Sequence, residues 1–135
     1  MNNPIRVYFN PDFVASCTKS LFDKPFWDED SDGNVNKLEE NHRLTYLSHT
    51  LPSFGFYNLP IGNKLMPIQV CGNIAREVGI KDFREFLIYL LNRVPNGNRV
   101  LDRMTMQYSH FFDEKLLTSL RCIDKEPIKD VRSTA

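Results

Sequence analysis

Five carboxylates fall within twelve residues of this chain. Asp28, Glu29, Asp30, Asp32 and Glu39 sit in one turn-rich stretch with the amides of Asn34 and Asn36. Left to themselves, these charges repel one another. A hard divalent cation would remove that penalty. Calcium takes about 6–8 oxygens at roughly 2.3–2.6 Å, and alternating acidic side chains in a tight loop can point at one centre. Glu39 is expected in the first turn of the helix that follows, where a negative group also suits the helix dipole.

The stretch 28–39 resembles the calcium loop of the EF-hand, and the related loop of dockerin modules. Asp28, Asp30 and Asp32 stand where that pattern has its first three oxygen ligands. Gly33 takes the position that turns with positive φ. Asn34 supplies a backbone carbonyl, Val35 is the aliphatic position, Asn36 acts through water, and Glu39 gives two oxygens at once. The resemblance covers twelve of 135 residues. It implies calcium as the cofactor, with Asp28, Asp30, Asp32, Asn34, Asn36 and Glu39 as the metal ligands. The flanks depart from the pattern. Pro25 breaks an incoming helix, Lys24 stands where an apolar residue is usual, and Glu40 follows the loop. A dockerin-like loop needs no incoming helix, but dockerins are secreted and duplicated. The segment 92–103, with Gly97 at the turn, lacks carboxylates at the ligand positions. The loop is therefore unpaired, completed by a degenerate partner, or paired across a homodimer.

Other chemistry is weaker. Cys71 precedes Gly72 near an expected helix start at Asn73, and a helix N-terminus lowers a thiol pKa. A nucleophile there, with His110 as its base, is the enzyme alternative. His42 and His49 lie seven apart on an expected helix, about 10.5 Å along its axis, too far to share an ion directly, and are expected to be solvated. The segment 74–80 looks like the opening of a helix-turn-helix. The register then places Glu85 where an apolar residue is wanted, with Phe86 one step late. No phosphate loop, dinucleotide glycine pattern or serine elbow is present.

Composition bounds the rest. Seventeen basic residues balance seventeen acidic ones, so no global field draws in nucleic acid or anionic lipid. No run approaches the roughly 18 apolar residues that cross a bilayer. The N-terminus lacks the charged and apolar regions of a signal peptide. Cys17, Cys71 and Cys122 are odd in number, far apart and without zinc spacing. Reduced thiols and a cytoplasmic location are expected.

The elements that must position these residues follow from periodicity. Ile5–Phe9 reads as a short strand. Asn10 and Pro11 open a helix that carries Phe13, Val14, Cys17 and Leu21 to about Phe22. Leu44, Leu47 and Leu51 suggest a second helix over 37–51, stopped by Pro52. Residues 52–64 read as a long aromatic loop, followed by a strand at Leu65–Cys71. Phe54, Phe56, Tyr57 and Leu59 in that loop form a partner-binding patch if exposed, and cap the core if buried. Asp82 with Glu85 reads as a capping box. Phe83, Phe86, Leu87, Leu90, Leu91 and Val94 keep helical spacing without a miss, until Pro95-Asn96-Gly97 ends the helix. A further stripe runs from Val100 to Phe112, and a last helix starts near Asp113. The tail from Asp124 is polar and expected to fray.

The sequence thus points to one α+β domain over 1–135, helix-rich, with about four helices and a minor two- or three-stranded sheet. Its C-terminal half, 73–122, is expected to be helical. The leading functional reading is a non-enzymatic calcium-loop interaction module with a protein partner. The alternatives are a metal-independent adaptor or inhibitor, of viral or mobile-element type, that binds a host macromolecule, and a small enzyme built around Cys71.

Overall fold

The computed structural model describes residues 10–123 and 130–132. The expected strand Ile5–Phe9 lies outside them. The fold is α+β. Helix α1 (Pro11–Asp23) starts as its sequence demands: the Asn10 side chain accepts the Phe13 N–H at 2.7 Å, and Pro11 fills the first helical position. Its apolar stripe Val14, Cys17, Leu21 is buried and meets helix α4 (Ile80–Leu91), where Phe86 lies 5.9 Å from Phe13, ring to ring.

The second helix begins later than its leucines suggest. Helix α2 (Glu40–Thr45) passes through a π-helical turn, Tyr46–Thr50, into α3 (Leu51–Ser53). Its buried face is His42, Tyr46, Thr50 and Leu51, while Leu44 is exposed. The helix runs past Pro52 for a physical reason. Pro52 has no N–H for the Ser48 carbonyl. The wider turn lets Leu51 N–H reach Tyr46, and Arg121 Nη1 reaches the Ser48 oxygen at 3.4 Å.

Residues 52–64 are not a long loop. Strands β1 (Phe56–Ile61), β2 (Lys64–Cys71) and β3 (Ile74–Glu77) form two successive hairpins, and β4 (Asp130–Arg132) adds in parallel to β3. The order is β1-β2-β3-β4. Each hairpin turns on a two-residue Gly-Asn loop, with Gly62 and Gly72 at positive φ, the geometry of a type II′ turn. The prolines fit this sheet. Pro60 lies on the edge strand, where a missing N–H costs no ladder bond. Pro67 sits where the β2–β3 ladder ends at Ile68–Glu77. Segment 74–80, expected to start a helix, is therefore β3 and its exit, so the helical half begins at Ile80 and not at 73. Gly79 is the N-cap of α4, which places Asp82 in the first turn instead of at the cap. The tail also departs from expectation, since Asp130–Arg132 is a paired strand.

Three short helices close the chain before β4: α5 (Gly97–Met106), α6 (Tyr108–Phe111) and α7 (Glu114–Leu117). The main core is strongly aromatic. Tyr46 packs at a tilt against both Phe26 and Phe111, at centroid distances of 4.8 and 5.0 Å. Phe56 contacts Phe83 and Phe86 edge-on at 4.9 and 5.6 Å. Along β1, Phe56 and Asn58 face this core. Tyr57 and Leu59 face the other side of the sheet, with Met66, Ile68 and Val70. Two buried polar side chains are tied to backbone. Tyr46 Oη donates to Phe111 O at 3.0 Å, and Asn58 Nδ2 donates to Leu117 O and Leu120 O at 2.8 and 3.2 Å. Among the described residues no helix is long and apolar enough to cross a membrane.

Candidate functional site

The acidic stretch folds as a compact hairpin. Asn36 N–H donates to Asp28 O at 2.9 Å, and Asp30 N–H donates to Asn34 O at 3.0 Å, with Glu29 and Val35 bridged between them. The tip turns at Gly33, whose φ is +80°. That is the left-handed conformation the sixth loop position calls for, which glycine adopts freely. Asp30 organises the tip. Its Oδ1 accepts the Asp32 and Asn34 N–H groups at 2.9 Å each, and its Oδ2 accepts the Asn34 amide at 3.2 Å. The Asn34 backbone bond, and then its side-chain bond, hold the Asp30 carboxyl below its ordinary range.

The hairpin is braced from outside by helix α5 and its approach. Asn96 Nδ2 donates to Glu29 Oε1 and to Gly33 O, both at 3.0 Å. Arg99 Nη1 reaches Gly33 O at 3.3 Å and Asn34 Oδ1 at 3.1 Å. Arg103 Nε donates to Val35 O at 3.0 Å, and Gln107 Nε2 to Leu38 O at 3.0 Å. Trp27 Nε1 donates to the remaining Glu29 oxygen at 2.9 Å. Val35 and Leu38 are buried beneath this rim.

His42 closes the base of the loop. It is buried rather than solvated. Its Nδ1 accepts the Glu39 N–H at 2.8 Å, so in the neutral ring the proton lies on Nε2, which faces Asp28 Oδ2 at 2.8 Å. Glu39 is the N-cap of α2, one step before the first-turn position its ligand role implied. His49 contacts Ser20 Oγ at 3.5 Å on another part of the surface.

This arrangement meets the calcium pattern in its turn and departs from it in its donors. Asp28 is engaged by His42, Asp30 by loop amides, and the Asn34 carbonyl by the Asp30 N–H. Among the described residues no three acidic, histidine or cysteine side chains are grouped to hold a metal ion. Asp32 and Asn36 are exposed, and their backbone N–H groups are held by Asp30 and Asp28. Arg99 and Arg103 reach the loop through its Gly33 and Val35 carbonyls and the Asn34 amide oxygen.

The aromatic segment is not an exposed patch. Phe54, Phe56 and Leu59 are buried, and Tyr57 is half-buried. Their burial follows from β1, which the prolines and glycines of the segment disguised. Gly55, at φ +86°, is obligatory there, since a Cβ would lie 2.2 Å from Val70 O. Cys71 also departs from expectation. It ends a strand and not a loop before a helix, and its Sγ receives Asn10 Nδ2 at 3.5 Å. Burial pushes its thiol up, and pushes Cys17 up to about 12, the opposite of an activated nucleophile. His110 lines a small polar hollow with Glu39, Arg43 and Gln107, and no contact joins it to Cys71 among the described residues.

The residues that sequence reasoning missed are Asn96, Arg99, Arg103 and Gln107. Their spacing along α5 was read only for its apolar stripe. The polar stripe Asn96-Arg99-Arg103-Gln107, also at helical spacing, was the signal available. Comparison with known protein families, with curated proteins and with solved structures finds no match to this chain.

Proposed function

We propose that this chain is a non-enzymatic interaction module that binds a protein partner without requiring a metal. The observation that carries the reading is the placement of large apolar side chains. The core absorbs Phe54, Phe56 and Leu59, yet Phe22, Leu44 and Met106 stand 58%, 55% and 75% exposed. Exposed side chains of that size on helices α1, α2 and α5 offer the apolar contact that partners use. Metal independence is supported by the loop, whose carbonyls and charges are largely engaged by α5, His42 and Trp27. The test is affinity capture by the full chain from extracts of its source cells, in chelator and in calcium. A stoichiometric partner kept in chelator is the expected result. No partner under either condition refutes the reading.

The second reading is the calcium-loop module, favoured by Gly33 at φ +80° in a stretch that matches every position of the loop pattern. Here Asp28, Asp30, Asp32, Asn34, Asn36 and Glu39 hold calcium, after Asp28 leaves His42 and the Asn34 carbonyl gives up the Asp30 N–H. That rearrangement puts the affinity at the weak end of such loops. Calorimetry with calcium, with magnesium as competitor and Asp28→Ala as control, tests it. One site lost in the variant supports it, and no heat at millimolar calcium refutes it.

A further inference from the structure

Phe22 stands between two hollows. On one side, a groove of about 610 Å³ runs between α1 and α4, floored by Val14, Ala15 and Tyr89 and edged by Lys19 and Arg93. On the other, a smaller hollow of about 240 Å³ is walled by Leu21, Trp27, Val94 and Pro95. The two differ in charge. No carboxylate lines the groove, and its two ionised groups are cations. The one carboxylate of the hollow, Glu29, has both oxygens engaged by Trp27 and Asn96. Arg93 lies over the Tyr89 ring at 4.7 Å, which fixes the guanidinium and leaves its N–H edge for a carboxylate. Among the described residues Arg93 forms no ion pair. Lys19 pairs only with the exposed Asp23 in its own helix, a surface contact that a partner's carboxylate can replace.

We propose that this two-hollow surface docks an amphipathic segment of a partner protein that carries carboxylates beside large apolar side chains. An apolar anchor enters the hollow beside Trp27, Phe22 packs against the segment, and its carboxylates meet Arg93 and Lys19. The exposed aromatic Phe22 between the two hollows matches the composition of binding hot spots, and an apolar groove with a charged rim is the arrangement that receives an amphipathic helix. The proposal rests on the reading of the chain as a partner-binding module.

The probes are two libraries of short helix-forming peptides with leucine at helical spacing. One carries glutamate between the leucines, and the other carries lysine in the same places. Trp27 is the single tryptophan and reports occupancy of its own hollow by fluorescence. The acidic library is expected to bind and shift Trp27 emission. Phe22→Ser is expected to weaken that binding about tenfold or more. The double variant Lys19→Glu with Arg93→Glu is expected to lose the acidic peptides and take up the lysine ones. All three side chains are exposed, and circular dichroism checks that the variants keep the fold. Four results overturn the proposal. They are no binding by either library, equal binding by both, unchanged acidic binding by the double variant, and a self-associating wild type made monomeric by Phe22→Ser, which would make the occupant a second copy. A cellular partner captured equally by wild type and double variant would relocate the docking surface and leave the module reading intact, whereas no captured partner would refute that reading as well.

Discussion

Asn96 offers the sharpest test of how the acidic hairpin is held. It is the one described non-glycine residue at positive φ, +63°, and its amide donates to Glu29 and Gly33 at 3.0 Å each. Two substitutions separate these roles. Asn96→Gly keeps the backbone conformation and removes both bonds. At about 0.5–1.5 kcal/mol net for each bond to a partly exposed group, it should cost roughly 1–3 kcal/mol. Asn96→Ala removes the same bonds and also loses the tolerance of asparagine for the left-handed region, which adds about 1 kcal/mol for a total of roughly 2–4 kcal/mol. Urea denaturation in chelator measures both. The expected order is wild type, then glycine, then alanine. If Asn96→Gly lies within about 0.3 kcal/mol of wild type, the brace contributes nothing and the hairpin is held otherwise. If alanine is no worse than glycine, the left-handed turn is not enforced.

Gly55→Ala would place a methyl 2.2 Å from Val70 O, and a loss of about 3 kcal/mol or more, read by thermal melting, is expected because neither backbone can yield cheaply. Asn58→Ala leaves the Leu117 and Leu120 carbonyls without their buried donor, and a cost of roughly 2–4 kcal/mol in urea would follow; a loss below about 1 kcal/mol would mean that water enters the site. Burial raises the folded-state pKa of Cys17 from 9.0 to about 12, so its contribution to stability is complete below about pH 9 and is lost as pH rises through the folded value. Cys17→Ala should therefore flatten the alkaline decline in stability, and an unchanged slope would assign that decline to other groups, such as the fully buried Tyr46. Thiol alkylation at neutral pH should reach the exposed Cys122 before the half-buried Cys71, and Cys17 only on unfolding, with peptide mass mapping as the readout.

The helices were legible where local chemistry and burial agree. Asn10-Pro11 caps α1 as its sequence states, and the stripe from Phe83 to Leu91 is the buried face of α4. Gly33 adopts the backbone that its neighbours imply. The sheet was hidden because its prolines and glycines carry the ordinary marks of a loop. Pro60 and Pro67 are tolerated only through their places on an edge and at a ladder end, which depend on pairing that no local window contains. The usable signals were the dipeptides Gly62-Asn63 and Gly72-Asn73, each between alternating apolar residues. Leu44 misled for the reverse reason: it keeps helical spacing but lies outside, while His42, a polar residue, takes the inward position. At the acidic loop, residue types gave the turn but not the donors. The bonds to Asn96, Arg99, Arg103 and Gln107 come from residues more than sixty positions away.

That separation bears on the order of events as the chain folds. The hairpin's own bonds span only a few residues, from Asp30 to Asn34 and from Asp28 to Asn36, and closing so small a loop is fast. The brace joins residues 63–69 positions apart. It forms only after the sheet and α4 have brought α5 alongside, because long-range closure must be preceded by the contacts that shorten it. A chain emerging during synthesis therefore displays its acidic hairpin bare until α5 has been made, some sixty residues after the hairpin itself.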